Sequence, residues 1–152
     1  MPFDKPTGGE NHQGFVLCCN LQSLQARSQV DFEIDFFEQI LSRDPAYIEV
    51  LFRLGDLFAQ KGLHRRALHV DLKLASVRPD DPTVFYNLAC THGAQDHEQP
   101  ALDALERAVE LGFNDVDYML SDPDLLALRL HPRFRRLVER LQRGSTSRST
   151  VV

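Results

Sequence analysis

The stretch Leu51-Phe52-Arg53-Leu54-Gly55-Asp56-Leu57-Phe58, followed by Arg66-Ala67-Leu68 and closed by Pro79, decides the fold because it returns thirty-four residues later. Leu54, Gly55 and Ala67 come back as Leu88, Ala89 and Ala101. Leu68 comes back as Leu102, and Pro45 as Pro79. A period of this length, with small residues and prolines in phase, marks a stack of helical hairpins. Two antiparallel helices approach closely only where their facing side chains are small. Gly55 with Ala67, and Ala89 with Ala101, therefore predict the close contact inside each hairpin. Leu51, Leu54, Phe85 and Leu88 fill the space around them. A lone hairpin cannot bury its second face, so each must be covered by the next.

Outward from these two hairpins the helical period continues. Upstream, Phe32, Phe36, Phe37, Ile40 and Leu41 fall on one stripe at three- and four-residue steps. Asp44-Pro45 is expected to stop that helix and start the next, since Asp caps and Pro tolerates a first turn. Gly62 suits a left-handed helix end. Asp81-Pro82, Asp122-Pro123 and His131-Pro132 each mark a fresh helix start. Sustained two-residue alternation is absent from the sequence, which predicts an all-α chain without a sheet. The predicted organisation is a tail over 1–27 with a short helix at 17–27, then a half repeat over 28–45. Full repeats follow over 46–79 and 80–113, capping helices over 114–142 and a Ser/Thr-rich tail over 143–152.

Composition narrows the function. The chain has 152 residues, 43% of them hydrophobic and 26% charged, enough for one domain with a real core. A net charge of -5 and a pI near 5.6 argue against nucleic acid as a partner. The arginines from Arg133 to Arg148 read as a solvated helix face and tail. Three cysteines, Cys18, Cys19 and Cys90, give an odd number with two adjacent. That pattern fits free thiols in a reducing compartment better than a disulfide framework. No stretch approaches the roughly 20 apolar residues that span a bilayer, and no secretory leader is evident. The expected location is the cytoplasm, with no membrane partner.

With these residues in hand, the chain resembles the tetratricopeptide repeat family. Val50 to Pro79 carries the pattern as L-F-R-L-G-D-L-F, then R-A-L, then the closing proline. Val84 to Phe113 carries it as F-Y-N-L-A-C and P-A-L-D-A-L-E-R-A, with Phe113 in the proline's place. The segment G-F-N-D-V-D-Y-M-L-S-D-P-D-L-L-A-L-R-L-H-P-R-F, from Gly112 to Phe134, is similar to the end of many bacterial members, where short capping helices close the stack. The resemblance implies a short right-handed superhelix of antiparallel hairpins. Two positions depart from the pattern. Asp71 stands where an aromatic or aliphatic residue is usual, which predicts either a tilt to solvent or a register offset of one. His92 stands where an aromatic is expected.

The resemblance also implies where function lies, because the first helix of each repeat lines a concave groove. Glu49, Phe52, Arg53, Asp56 and Gln60 would line it from the first full repeat. Thr83, Tyr86, Asn87, Cys90 and Ala94 would line it from the second. Phe52 and Tyr86 would supply apolar area, while Arg53 and Asn87 would bond a carboxylate or backbone of a bound peptide. The carboxylate clamp of some members is not expected, since Phe52 stands where a lysine is needed. Two repeats set a small interface, below about 1,200 Å², with affinity on the order of micromolar.

Catalytic and metal chemistry have thin support. No glycine-rich phosphate loop or G-x-S-x-G is present. Cys90, His92 and His97 have a ligand-like spacing, but residues two apart on a helix point to different faces. No enzyme activity, cofactor or metal is expected. The expected function is a non-catalytic adaptor binding a peptide or partner protein. The alternative is a self-associating module, a homodimer formed through the Phe32, Phe36 and Phe37 face, because an uncovered aromatic patch marks an interface.

Overall fold

The computed structural model describes residues 28–146. The short helix expected at 17–27, like Cys18 and Cys19, lies outside the described residues. The elements run α1 (Gln29–Arg43), α2 (Ile48–Gln60), α3 (His64–Val77), α4 (Pro82–Gly93), α5 (Glu98–Glu110) and α6 (Val116–Ser121). A 3-10 helix (Pro123–Leu130) and α7 (Pro132–Thr146) complete the order. The architecture is all-α: antiparallel helical hairpins in a short superhelix, with capping helices at the C-terminal end. The described residues hold no strand. Each helix packs on the next from α1 to α5, and the 3-10 helix lies against α4.

Local chemistry explains the boundaries. Asp81 caps α4 by accepting the Thr83 N–H at 3.0 Å, with Pro82 at the first helical position. Asp122 does the same for the 3-10 helix through the Asp124 N–H at 3.0 Å. Asp44 differs from expectation: its carboxylate takes the Ala46 N–H at 3.2 Å inside a turn, and α2 begins only after Tyr47. The Asp-Pro pair there ends α1 without starting α2. Gly62 takes φ 68 and lets the Leu63 N–H reach back to the Phe58 carbonyl at 2.8 Å. One repeat on, Asp96 holds the same place with φ 57, and the His97 N–H reaches the His92 carbonyl at 3.0 Å. Aspartate is among the few residues that visit this region without glycine. The C-terminal helix runs through Thr146, past the boundary at 142 that composition suggests.

The core has two parts. One gathers Ile34, Leu51, Leu54, Leu57, Phe58, Ala67, Val70, Leu74 and Val84 around the first hairpin. The other gathers Leu88, Ala89, Ala101, Leu102, Leu105, Ala108, Met119, Leu125 and Phe134 around the second hairpin and the cap. Ala67, Ala89 and Ala101 are all fully buried, as close approach of the helices requires. A Cβ added to Gly55 would stand 3.2 Å from Asp71 Oδ1 and 3.8 Å from Val70 Cγ1, so Gly55 seats against α3.

The half repeat leaves an exposed edge with a clear cause. Ile34, Phe37 and Leu41 turn toward α2 and pack on its core. Phe36 occupies in α1 the place that Val70, thirty-four residues later, occupies in α3. Val70 is buried by its own first helix; Phe36 is 50% exposed and Phe32 66% exposed. The aromatic face expected from sequence therefore consists of Phe32 and Phe36, whereas Phe37 belongs to the core. Asp71 corrects both alternatives raised for it. It neither tilts to solvent nor shifts register: it is 4% exposed, between the buried Val70 and Leu74, and Thr91 Oγ1 donates to its Oδ2 at 2.5 Å.

Candidate functional site

The capping segment folds against α4, the first helix of the second hairpin. The turn from α6 into the 3-10 helix brings Asp122 over α4. There it accepts a hydrogen bond from the Tyr86 hydroxyl at 2.9 Å and from the Cys90 thiol at 3.3 Å. Arg129 Nη2 donates to the Asp122 carbonyl at 3.2 Å and steadies the turn. Tyr86 stacks on Phe113, with ring centroids 4.2 Å apart, and lies 5.4 Å from Tyr118. The cap thus covers the Tyr86 and Cys90 side chains of α4.

What remains open is a small hollow of about 150 Å³. Its walls come from Gly55, Asp56 and Ala59 on α2, Asp71 on α3, and Tyr86, Asn87, Cys90 and Thr91 on α4. Tyr118, Asp122 and Asp124 complete them from the cap. Four of these residues are carboxylates and none is a lysine or arginine. Electrostatics follow from that composition. Burial pushes the Asp71 carboxyl up to about 6, the Thr91 hydrogen bond pulls the other way, and Asp56 adds repulsion. Burial also raises Asp56, with Arg53 opposing. Asp124 is raised by burial and by Asp122, with His64 opposing. These three carboxylates are short of counter-charge, so a cation entering the hollow would relieve all of them.

The neutral groups stay neutral. Burial, Asp122 and Tyr86 act on the Cys90 thiol, and the net effect, dominated by burial, raises it far above the ordinary thiol range. Cys90 is therefore a poor nucleophile. Burial raises the Tyr86 phenol as well. His92 and His97 approach within 3.4 Å through their Nδ1 atoms. Burial, with His97 second, lowers the His92 imidazole. Among the described residues no group of three or more His, Cys, Asp or Glu side chains is arranged to hold a metal ion.

Of the residues assigned to the groove from sequence, Asp56, Tyr86, Asn87 and Cys90 line the hollow. The structure corrects Tyr86 as a source of exposed apolar area. It is 2% exposed, because the cap covers it. Arg53 is already engaged, donating to Glu33 of α1 at 2.9 Å. Phe52 is half-buried against the first core cluster. Glu49, Gln60 and Thr83 are exposed and Ala94 half-buried at the end of α4, all four outside the hollow. Tyr118, Asp122 and Asp124 were not among the residues expected there. The Asp122-Pro123 pair announces a helix start but gives no sign that its carboxylate turns inward.

Comparison with known proteins agrees on the fold. The crystal structure of MamA superposes with a TM-score of 0.61 at 22% identity, over 76% of this chain and 73% of that one. A second, MamA 41-end from Desulfovibrio magneticus RS-1, gives a TM-score of 0.62 at 17% identity, over 89% of this chain and 72% of that one. MamA is a helical-repeat protein of the tetratricopeptide type, and this chain has that fold. A chloroplastic protein from Arabidopsis thaliana is 30% identical over 105 residues. The match covers 65% of this chain and 30% of that protein, so the chain spans less than a third of that relative's length. No family model matches the sequence. No helix among the described residues is long and apolar enough to cross a membrane.

Proposed function

We propose that the protein is a non-catalytic interaction module whose concave face receives a segment of another protein through a basic side chain. The observation that carries this reading is the hollow itself. Four carboxylates and two tyrosines from α2, α3, α4 and the cap converge on about 150 Å³ with no lysine or arginine in the lining. That volume suits one side chain and not a whole cofactor, since ligand pockets usually start at about 300 Å³. A guanidinium or ammonium held there would make charge-assisted hydrogen bonds, each contributing roughly 1.5–3 kcal/mol. The exposed Tyr118 in the wall offers apolar area to the rest of the segment.

The adaptor role, a cytoplasmic setting and the absence of catalysis belong to the same proposal. The fold supports an interaction role only by analogy, whereas the hollow supports it by its chemistry. Capture from the source cell tests it, comparing wild type with Phe52→Ala/Asp56→Asn. Asp56 is exposed and Phe52 is half-buried against the first core, so a thermal melt first establishes that the variant folds. Partners lost with the variant are partners of the concave face, and identical partner sets would reject the reading.

A second reading rests on Phe32 and Phe36, at 66% and 50% exposure. Two aromatic side chains one turn apart form an edge that a second copy of the chain could cover. Light scattering across a wide range of concentration decides it: a mass that stays at one chain rejects self-association.

A further inference from the structure

A second, larger opening shares no lining residue with the hollow. It is a cavity of about 720 Å³ between the C-terminal half of α1 and the outer flank of α3. Its apolar part is Leu41, Leu51, Leu54, Phe58 and Val70. Its rim on α3 carries Arg65, His69 and Lys73, spaced four residues apart and hence on one face of the helix. Arg66 is also on this rim, but it pairs with Glu38 and lies 4.3 Å from the Phe58 ring centroid. Among the described residues, Arg65, His69 and Lys73 have no carboxylate partner.

The same place one repeat later is built differently. Leu51 becomes Phe85, a larger side chain packed against the second core, and Arg107 lies 5.8 Å from its ring centroid. Arg65, His69 and Lys73 become Gln99, Asp103 and Arg107. Each of these is satisfied inside the chain. Arg133 of α7 donates to Gln99 at 3.1 Å and to Asp103 at 2.7 Å, and Arg107 pairs with Glu110 at 3.5 Å. A neighbouring helix thus answers Gln99 and Asp103 through Arg133, while Arg107 is answered within its own helix. At α3 a histidine stands where the second repeat has Asp103, no carboxylate among the described residues answers Arg65, His69 or Lys73, and Leu51 stands in place of the larger Phe85.

We propose that this cavity is a docking site for an amphipathic helix of a partner protein, with an apolar edge flanked by carboxylates at four-residue steps. Two turns of α3 separate Arg65 from Lys73, roughly 12 Å, which sets the spacing of the facing carboxylates. Charge argues against the chain's own N-terminal segment as the occupant, since residues 1–27 hold only Asp4 and Glu10 as acids. The site is separate from the concave hollow, so each can fail without the other.

The test uses the full chain and two synthetic helical peptides sharing one leucine edge, one flanked by glutamates and the other by lysines. In an Asp56→Asn/Asp124→Asn background, which removes the pull of the hollow on lysines, fluorescence anisotropy should show the glutamate peptide binding at least tenfold tighter. Adding Arg65→Glu/Lys73→Glu should abolish or reverse that preference, and adding Leu51→Phe should weaken the glutamate peptide severalfold by taking up cavity space. Circular dichroism melts of the variants establish that they fold. In that background, equal affinity for the two peptides, or equal binding of the glutamate peptide with and without the charge reversal, would overturn the proposal. So would a wild-type dimer that Arg65→Glu/Lys73→Glu converts to a monomer, because it would place a second copy in the cavity.

Discussion

Gly93→Ala sets two effects of opposite sign against each other. Gly93 ends α4 and is buried under the 3-10 helix. A Cβ there would overlap the Asp124 carbonyl oxygen and stand 3.3 Å from its carbon. The obstacle is backbone, so no rotamer change relieves it. The Gly93 backbone is not in the left-handed region, so alanine carries no dihedral penalty. On helix propensity alone the substitution should stabilise by up to about 1 kcal/mol. Overpacking against the cap should cost about 1–3 kcal/mol. The contact is a direct overlap with main chain, so overpacking wins and the net loss should be about 1–2 kcal/mol. With a urea slope of about 2 kcal/mol/M, the midpoint should fall by roughly 0.5–1 M. In a Cys18→Ser/Cys19→Ser background, Cys90 should also react faster with a thiol reagent as the cap lifts from α4. A midpoint that rises, or an unchanged Cys90 rate, would refute the docking of the cap on α4.

Other outcomes follow from the same geometry. Asp71 is raised to about 6 in the folded protein from 3.8, so the folded state binds more protons between these values. Its contribution is full below about pH 4 and is lost as pH rises through about 6. Asp71→Asn should therefore be the more stable protein at pH 8, by about 2–3 kcal/mol at most, with the difference vanishing near pH 4 in matched urea titrations. Ala101→Leu puts a large side chain where no exposed surface remains and should lower the unfolding midpoint by the equivalent of about 1–3 kcal/mol. An unchanged midpoint would contradict close helix packing at that point. Phe32→Ser/Phe36→Ser removes two exposed rings and should shift thermal stability by less than about 0.5 kcal/mol each, read by calorimetry.

The hairpins were legible in sequence because their signal is local and repeated. Small residues at 67, 89 and 101, and the Asp81-Pro82 start, name contacts inside a single period. Asp71 was illegible for the opposite reason. Its burial is made possible by Thr91, twenty residues away, and by the space above Gly55, and neither partner falls within the window of one helix. The site divides along the same line. The repeat position of Asp56, Asn87 and Cys90 puts them on the first helices of the hairpins, and all three line the hollow. The repeat position of Tyr86 predicts an open ring, and the ring is covered because the cap's path over α4 has no periodic signature. Asp122 and Asp124 enter the site through tertiary contact, since their local sequence reads only as a helix cap. The exposed Phe32 and Phe36 follow from phase, once Val70 is seen to be covered by α2.

Selection of a basic side chain by the concave hollow can be measured directly. The probe is an array of peptides identical but for one central position, varied through Arg, Lys, Gln, Leu, Asp and Glu. Wild type should retain the Arg and Lys peptides at least tenfold above the Gln and Glu peptides, with the margin shrinking as salt rises. Asp56→Asn/Asp124→Asn should lose most of that margin. Equal retention across the array, or a margin that survives in the doubly neutralised variant, would contradict a cation-selective hollow.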